Sequence, residues 1–179
     1  TLSVRQDVAE PPQRSRDAGV MVSVAAGGGL GHAATADLSE AGLADAFARA
    51  RAMAEAVAGR MVFDPAELPG ASARGRYDGA VQRPVGGAPL RERLELLREV
   101  CASAAGDERI VDRQASLLAV QASQLLLTSD GGRTEQHWHV TMPHVQATAH
   151  VGGVTQTRSS AGQYNGFCQQ GGLEVLERA

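Results

Sequence analysis

The second half of the chain constrains the fold most, because it has strand character from Ile110 onward. From Arg133 to Met142 apolar and polar side chains alternate with the two-residue period of a β-strand that has one buried face. After Pro143 the alternation resumes and continues to Val151. Ser129-Asp130-Gly131-Gly132, just before the first run, is a strong tight-turn signal. The sequence therefore predicts strands joined by short turns, with a new strand after Pro143.

Two segments have helical spacing instead. Ser39 can cap the first helix and Gly59 can end it, while the second helix is predicted from Pro89 to about Ala105. In both, apolar residues recur every three or four positions, which is typical of a helix with one buried side. The predicted buried stripes are Leu43, Ala46, Phe47, Ala50, Met53, Ala54 and Val57 in the first helix, and Leu90, Leu94, Leu97 and Cys101 in the second.

Three more strands are predicted before the first helix. Leu2–Ala9 and Gly19–Val24 are extended in character and would form two strands of a meander or hairpin with a long connection, and His32–Ala36 would be the third. The glycine cluster Gly27–Gly31 favours a hairpin turn over a phosphate-binding loop, because the helix begins only at Ser39 and no G-K-[ST] follows.

This order of elements predicts an α+β domain with mostly antiparallel sheets and two main helices. We expect residues 1–179 to form a single domain with two sub-parts, about 1–59 and 88–179. An irregular link, 60–87, would join them, since glycine and proline groups such as Leu68-Pro69-Gly70 interrupt its periodicity.

Composition excludes several classes of function. All 17 basic residues are arginines, the net charge is -3 and no basic cluster is present, so direct nucleic-acid binding is not expected. Without lysine the chain can form neither a Schiff base nor a P-loop. The apolar runs fall far short of the roughly 20 residues that span a membrane.

The cysteines and the start of the chain bear on location. Cys101 and Cys168 are too far apart to indicate a disulfide scaffold or a metal clip, and the chain opens on no signal-peptide pattern, so a cytoplasmic location is expected.

Four of the five histidines lie within fourteen positions: His137, His139, His144 and His150. The predicted strands would place them on polar sides that face the same way. Imidazoles two residues apart on a strand can both reach one metal ion. The alternative, a polar sheet face that uses His beside Gln and Thr, is favoured because no carboxylate lies at a suitable spacing. The four histidines are therefore candidates for substrate binding, and no metal ligand and no catalytic residue is assigned.

The two cysteines are not predicted to carry chemistry. Cys168 lies in a polar, glycine-bordered stretch where a thiol can be reactive, but a nucleophile needs a base within reach and none is nearby in the sequence. A buried or incidental cysteine is expected there, and Cys101 is expected in the core. No Ser-His-Asp set, paired-carboxylate motif or H-E-x-x-H motif is present.

Several segments, taken in order, resemble the N-terminal module of the TldD/PmbA family, known as candidate modulators of DNA gyrase and as peptide-processing metalloproteases. Gly19–Val24 followed by Gly31–Ser39 resembles the family's glycine-led strand, its turn into a strand and its D-[LI]-S helix start. Arg91–Val100 resembles its second helix, Leu125–Gly131 its strand and turn, and Gln163–Phe167 its closing aromatic and glycine-rich stretch. The resemblance is closer to the TldD branch than to the PmbA branch.

The resemblance implies a function. Such a module is the N-terminal, substrate-enclosing and dimer-forming part of a zinc metalloprotease that degrades or trims extended peptides or unfolded proteins. The family's partners are a second copy or a PmbA-like subunit. Its zinc is held by an H-E-x-x-x-H helix and a later cysteine in a C-terminal catalytic half that this chain lacks, so the chain alone is expected to be inactive. Two alternatives stay open: a stand-alone peptide- or protein-binding module, and a small metal-binding enzyme that uses the His137/His139 face.

Overall fold

The computed structural model describes residues 1–67, 70, 72–160 and 167–177. The chain divides into two compact units: Thr1–Arg14 with Ser72–Ala179, and Ser15–Ala71. The predicted α+β class, with mostly antiparallel sheets and two main helices, is confirmed. In the part of the chain described, no helix combines the length and the apolar character needed to cross a membrane.

The described residues of the larger unit form seven strands, one helix and two short 3-10 helices. Its strands are β1 (Leu2–Arg5), β2 (Val8–Ala9), β5 (Arg74–Asp78), β6 (Ile110–Leu127), β7 (Arg133–Val151), β8 (Val154–Ser159) and β9 (Gln169–Gln170). Its helix is α2 (Leu90–Ser103), and its 3-10 helices are Val85–Gly87 and Leu173–Glu177. The smaller unit contains β3 (Val20–Ala26), β4 (Gly29–Thr35), α1 (Glu40–Val57) and the 3-10 helix Pro65–Glu67.

The sheet of the larger unit is built on one long hairpin. Its order is β2-β1-β6-β7-β5, and β8 and β9 also pair with β7. Among the strands described, β5 alone runs parallel to its partner. The predicted tight turn joins β6 to β7, with Gly131 at a φ of 88°.

The prediction of a new strand after Pro143 was wrong. β7 is one strand of 19 residues, and Pro143 lies inside it, buried and paired with Leu117. The carbonyls of His139 and Val145 accept hydrogen bonds on the side away from β6, from Gly171 and Ser160. Pro143 is an even number of residues from both, so its missing N–H also faces away from β6. It lies between the positions of β7 that pair with β9 and those that pair with β8. The strand therefore loses no hydrogen bond to β6 by carrying a proline.

The core of the larger unit lies between α2 and the sheet. Leu97 and Cys101 of α2 are buried, as predicted, while Leu90 at the start of the helix is 43% exposed. The residues buried with them are Leu2, Val4, Val85, Ala115, Leu117 and Leu173. We call the side of the sheet that carries Ala115 and Leu117 the helix face, and the other side the opposite face.

The opening strands do not form the predicted meander. β1 pairs with β2 and β6 rather than with β3. Gln6 and Asp7 form a two-residue turn in which both φ angles are positive, at 49° and 62°. The Arg113 guanidinium donates to the side-chain oxygens of both turn residues. This tertiary support explains a turn that lacks the usual Asn-Gly signal.

In the smaller unit, Gly27 and Gly28 form the predicted hairpin turn between β3 and β4, with φ angles of 60° and 78°. The predicted start of α1 is also confirmed, since the Ser39 hydroxyl accepts a hydrogen bond from the Gly42 N–H at 3.2 Å. The predicted stripe was wrong for its large residues, because Phe47 and Met53 are 51% and 50% exposed. The residues of α1 that are buried are the small ones: Gly42, Ala46, Ala50 and Ala54.

The predicted irregular link, 60–87, contains ordered elements. β5 pairs with β7 over five residues, and two 3-10 helices flank it. Leu68 and Pro69, in the predicted turn there, lie outside the described residues. The compact units also divide the chain at other points than the sub-parts predicted at about 1–59 and 88–179, because residues 1–14 join the second half through β1 and β6. That 1–179 forms a single domain stays a prediction.

Candidate functional site

All four candidate histidines lie on β7, but on two faces of the sheet. In a continuous strand the side chains alternate, so His137 and His139 share the helix face, whereas His144 and His150 lie on the opposite face. The predicted common face was wrong because the strand does not break at Pro143. In one uninterrupted strand, residues 139 and 144 are an odd number of positions apart, so the two pairs lie on opposite faces.

The first pair has a charged neighbourhood on one side. His137 Nδ1 lies 2.9 Å from the Ser123 hydroxyl across the ladder, and Asp78 is paired with His137 on β5. Hydrogen bonds from Arg76, at 2.7 and 3.0 Å, lower the pKa of Asp78, and nearby His137 adds a smaller effect in the same direction. The Asp78 carboxylate is thus already committed to Arg76.

The residues around His137 and His139 do not fit a zinc ion. A zinc site needs three or four converging ligands. Among the described residues, no three His, Cys, Asp or Glu side chains are close enough to one another to hold a metal.

The second pair belongs to a polar surface shared by β7 and β8. His150 Nδ1 lies 2.8 Å from the Thr155 hydroxyl, and the hydroxyls of Thr148 and Thr157 lie 2.9 Å apart. Gln146 pairs with Ser159 in the same ladder. We call the residues of this surface the polar patch: His144, Gln146, Thr148, His150, Thr155 and Thr157.

The polar patch borders a free strand edge. Within the described part of the chain β8 pairs with β7 and with no other strand. On β7, Val145 and every second residue from it direct their backbone groups toward β8. Gln156 and Arg158 pair with residues of that set, so they direct their own backbone groups toward β7. Thr155 and Thr157 therefore direct their N–H and C=O groups outward. An extended chain can pair with such an edge.

The cysteines follow their predicted environments in part. Cys101 is fully buried, as predicted, with its sulfur 3.6 Å from the Arg113 carbonyl oxygen. Cys168 is exposed rather than buried. Gln163, Tyr164, Asn165 and Gly166, which belong to the predicted family motif, lie outside the described residues.

Sequence reasoning missed Glu174, which is 7% exposed. Its carboxylate accepts hydrogen bonds from the backbone N–H groups of Gly172, Gln82 and Arg83, at 2.8, 3.0 and 2.9 Å. Burial alone would raise the pKa of Glu174, but these donors outweigh it and lower the pKa to about 2. A glutamate between two apolar residues, Leu173 and Val175, two positions after Gly172, was the available signal.

The comparisons with known proteins first define a class. Over 88% of its length the chain is similar to a candidate modulator of DNA gyrase from Bacteroides thetaiotaomicron, with 19% identity and a TM-score of 0.66. A candidate modulator of a DNA gyrase from Thermotoga maritima is similar over the same share, with 14% identity and a TM-score of 0.56. These likenesses establish the fold, an α+β module that spans 36% and 35% of those chains.

A family model matches the first part of the sequence. Residues 1–54 match the profile of PmbA/TldA metallopeptidase domain 1. Over these residues the chain is similar to the TldD/PmbA family, the family that its motifs resemble. That it lies closer to the TldD branch stays a prediction. A search of the curated proteins finds no match.

Proposed function

We propose that this chain is the N-terminal, substrate-enclosing and dimer-forming part of a TldD-type zinc metalloprotease that trims or degrades extended peptides. The observation that carries the proposal is the match of residues 1–54 to a metallopeptidase domain, together with the fold shared over 88% of the chain. The zinc would belong to the full-length family member, because no three candidate ligands converge among the residues described.

The polar patch supports a peptide-binding role for this part. An extended peptide pairs with a sheet edge through main-chain hydrogen bonds, which read no sequence, while neighbouring side chains set preference. The outward N–H groups of Thr155 and Thr157 supply the donors. The imidazole N–H groups of His144 and His150 beside them can donate hydrogen bonds to the backbone carbonyls and carboxylates of a peptide.

The matched variants Thr157→Pro and Thr157→Ala test this edge. Proline removes the outward N–H without removing a bond to β7, whereas alanine keeps the N–H and loses the same hydroxyl contact with Thr148. We expect the proline variant to bind a fluorescent, unstructured peptide about tenfold more weakly, equivalent to about 1.4 kcal/mol, and the alanine variant to bind almost as the parent does. Equal binding by all three in fluorescence anisotropy would rule out the β8 edge.

The protease role has a separate test. We expect the 179-residue chain with added zinc to leave an unstructured peptide intact, because it brings no metal-ligand set together in its described residues. Zinc-dependent cleavage that a chelator stops would contradict the proposal and favour the metal-enzyme alternative. Mass spectrometry of the peptide after incubation gives the answer.

The proposed partners are a second copy or a PmbA-like subunit, with cytoplasmic peptides or unfolded proteins as substrates. Multi-angle light scattering of the chain, alone and mixed with a PmbA-like protein, distinguishes the two assemblies. A stand-alone binding module is the second candidate, favoured by the free polar edge of β8. This candidate function predicts that the chain binds peptide equally well with or without a second copy or a PmbA-like subunit.

A further inference from the structure

The Glu174 carboxylate joins two segments that are far apart in the sequence. One, residues 79–87, connects β5 to α2, and we call it the link loop. The other, residues 169–176, contains β9 and Glu174, and we call it the strap. Oε1 of Glu174 accepts from Gln82 in the link loop and from Gly172 in the strap, while Oε2 accepts from Arg83. One side chain therefore holds both segments.

Backbone hydrogen bonds attach the same two segments to each other and to β7. The Leu173 N–H donates to the Arg83 carbonyl at 2.8 Å, which bonds strap to link loop directly. The Gly79 N–H donates to the His137 carbonyl at 2.8 Å, and the Gly171 N–H to the His139 carbonyl at 2.9 Å. On β7, the buried Thr141 hydroxyl donates to the Gly171 carbonyl at 2.8 Å.

The segments approach too closely to move independently. A Cβ atom on Gly172 would lie 2.0 Å from the Arg83 carbonyl oxygen, so only glycine fits there. Gly171 has a φ of 147°, in the region that favours glycine. Displacing the strap alone would leave the Arg83 carbonyl and four backbone N–H groups, those of Gln82, Arg83, Gly171 and Leu173, without the partners described, beside the buried Glu174.

The strap covers a gap along β7. β5 pairs with β7 as far as His137, and β8 pairs with it from Gln146 onward. Between them β9 supplies two paired positions, opposite Val140 and Thr141. No other strand in the described residues covers this part of the edge.

We propose that the strap and the link loop are one conformational device, keyed by Glu174, which opens and closes as a unit and uncovers the edge of β7 between β5 and β8. The short β9 and the convergence of the contacts on one carboxylate favour a single local opening over stepwise fraying. The long β6–β7 ladder does not depend on these contacts and stays closed. The proposal goes beyond the peptide-binding edge of β8, which it leaves intact.

Amide hydrogen exchange on the whole chain tests the device. Glu174→Gln places an amide NH₂ against backbone donors, and we expect about a tenfold or larger rise in the exchange rates of the Gln82, Arg83, Gly171 and Leu173 amides, all by a similar factor. The amides of Gln6 and His150, which donate to carbonyls of β6 and of Arg109 just before it, should keep their rates. Glu99→Gln, at an exposed position of α2, removes the same charge and should change neither set.

A second variant breaks the device at its other end. Thr141→Val removes the hydroxyl that donates to Gly171 and keeps the side-chain shape, and it should accelerate the same four amides. A rise confined to the amides that Glu174 bonds, with Gly171 and Leu173 unchanged, would overturn the proposal, and so would a uniform rise that includes Gln6 and His150. Because peptide binding at Thr157 is measured separately, a failure here is distinguishable from a failure of the proposed function.

Discussion

At the scale of the residue, the contact between α1 and β4 depends on single glycines. A Cβ atom on Gly31 would lie 2.0 Å from the Ala50 carbonyl oxygen and 2.5 Å from the Ala54 nitrogen. Both are backbone atoms, so no side-chain rotation relieves the overlap. The close approach explains why the buried stripe of α1 consists of glycine and alanine, and why the larger Phe47 was not accommodated there.

Gly31→Ala is therefore predicted to destabilise the smaller unit by about 1–3 kcal/mol or more, as overpacking does. Gly75→Ala is the matched control, because a Cβ atom on Gly75 meets nothing within 4 Å and its φ is not positive. Urea unfolding followed by circular dichroism measures both free energies of unfolding. Equal stability of the two variants would contradict the packing described for α1.

A second feature at the residue scale is Glu174, which makes the stability of the fold depend on pH. Its pKa falls from an ordinary value of 4.5 to about 2 in the folded chain, so the folded state holds the proton less tightly than the unfolded state. The stabilisation is complete above about pH 4.5 and is lost as the pH falls from there toward 2. We predict that the difference in unfolding free energy between the parent and Glu174→Gln is larger at neutral pH than near the folded pKa.

Urea unfolding of both proteins at a series of pH values measures that difference. Glu99→Gln provides the control, since this exposed side chain should give a small difference that changes little across the same range. A Glu174→Gln difference that is constant with pH would show that the carboxylate charge does not stabilise the fold.

At the scale of the element, α2 separates buried from exposed leucines at adjacent positions. Leu97 is 4% exposed and lies in the core, whereas Leu96 is 37% exposed. Leu97→Ala is predicted to lower the free energy of unfolding by about 2–5 kcal/mol, the range for a leucine truncated in a core. Leu96→Ala should cost clearly less, since the same atoms are removed from a partly solvated site. Thermal and urea unfolding of the pair test which face of α2 packs on the sheet.

Predictability at this scale depended on whether the signal was local. Ser39, Gly59 and the Gly27-Gly28 turn act on neighbouring residues, so α1 and the β3–β4 hairpin could be read from the sequence. The continuity of β7 through Pro143 could not, because it depends on which side of the strand lacks a neighbour. Because the continuity of β7 was not predicted, the two histidine pairs were wrongly placed on the same face.

At the scale of the whole molecule, the fold class followed from the order of elements, and the motifs that carry that order predicted the family whose first domain residues 1–54 match. Strand partners did not follow, because pairing between β1 and β6 joins residues more than a hundred positions apart. The polar patch was predicted in part: His144 and His150 were identified, whereas Thr155, the partner of His150, and Thr157, the partner of Thr148, were not. Residues that another strand contributes to a surface cannot be identified from the sequence around the histidines.

Among the described residues, a second unpaired stretch of strand edge in the larger unit is mostly apolar. β1 covers β6 only as far as Leu117, and in the described residues no strand pairs with 118–127 on that side. This segment has no charge and no proline, and its last three leucines are 51%, 48% and 60% exposed. The Arg113 carbonyl accepts from Gln6 on this side, so Gln121 and Ser123, of the same parity, direct their backbone groups toward solvent. Long uncharged edges of this kind promote association between chains.

We predict that the 179-residue chain associates increasingly with concentration, and that Gln121→Lys with Gln124→Lys suppresses this association. Lysines on an edge oppose pairing because a second strand would have to desolvate them. The control is Gln13→Lys with Ser15→Lys, which changes the net charge equally at exposed positions outside β6. Both pairs bring the net charge of -3 closer to zero, which by itself favours association, so a decrease seen only with the β6 pair must come from the edge. Light scattering over a concentration series measures the effect, and equal association of the two double variants would exclude the edge as its cause.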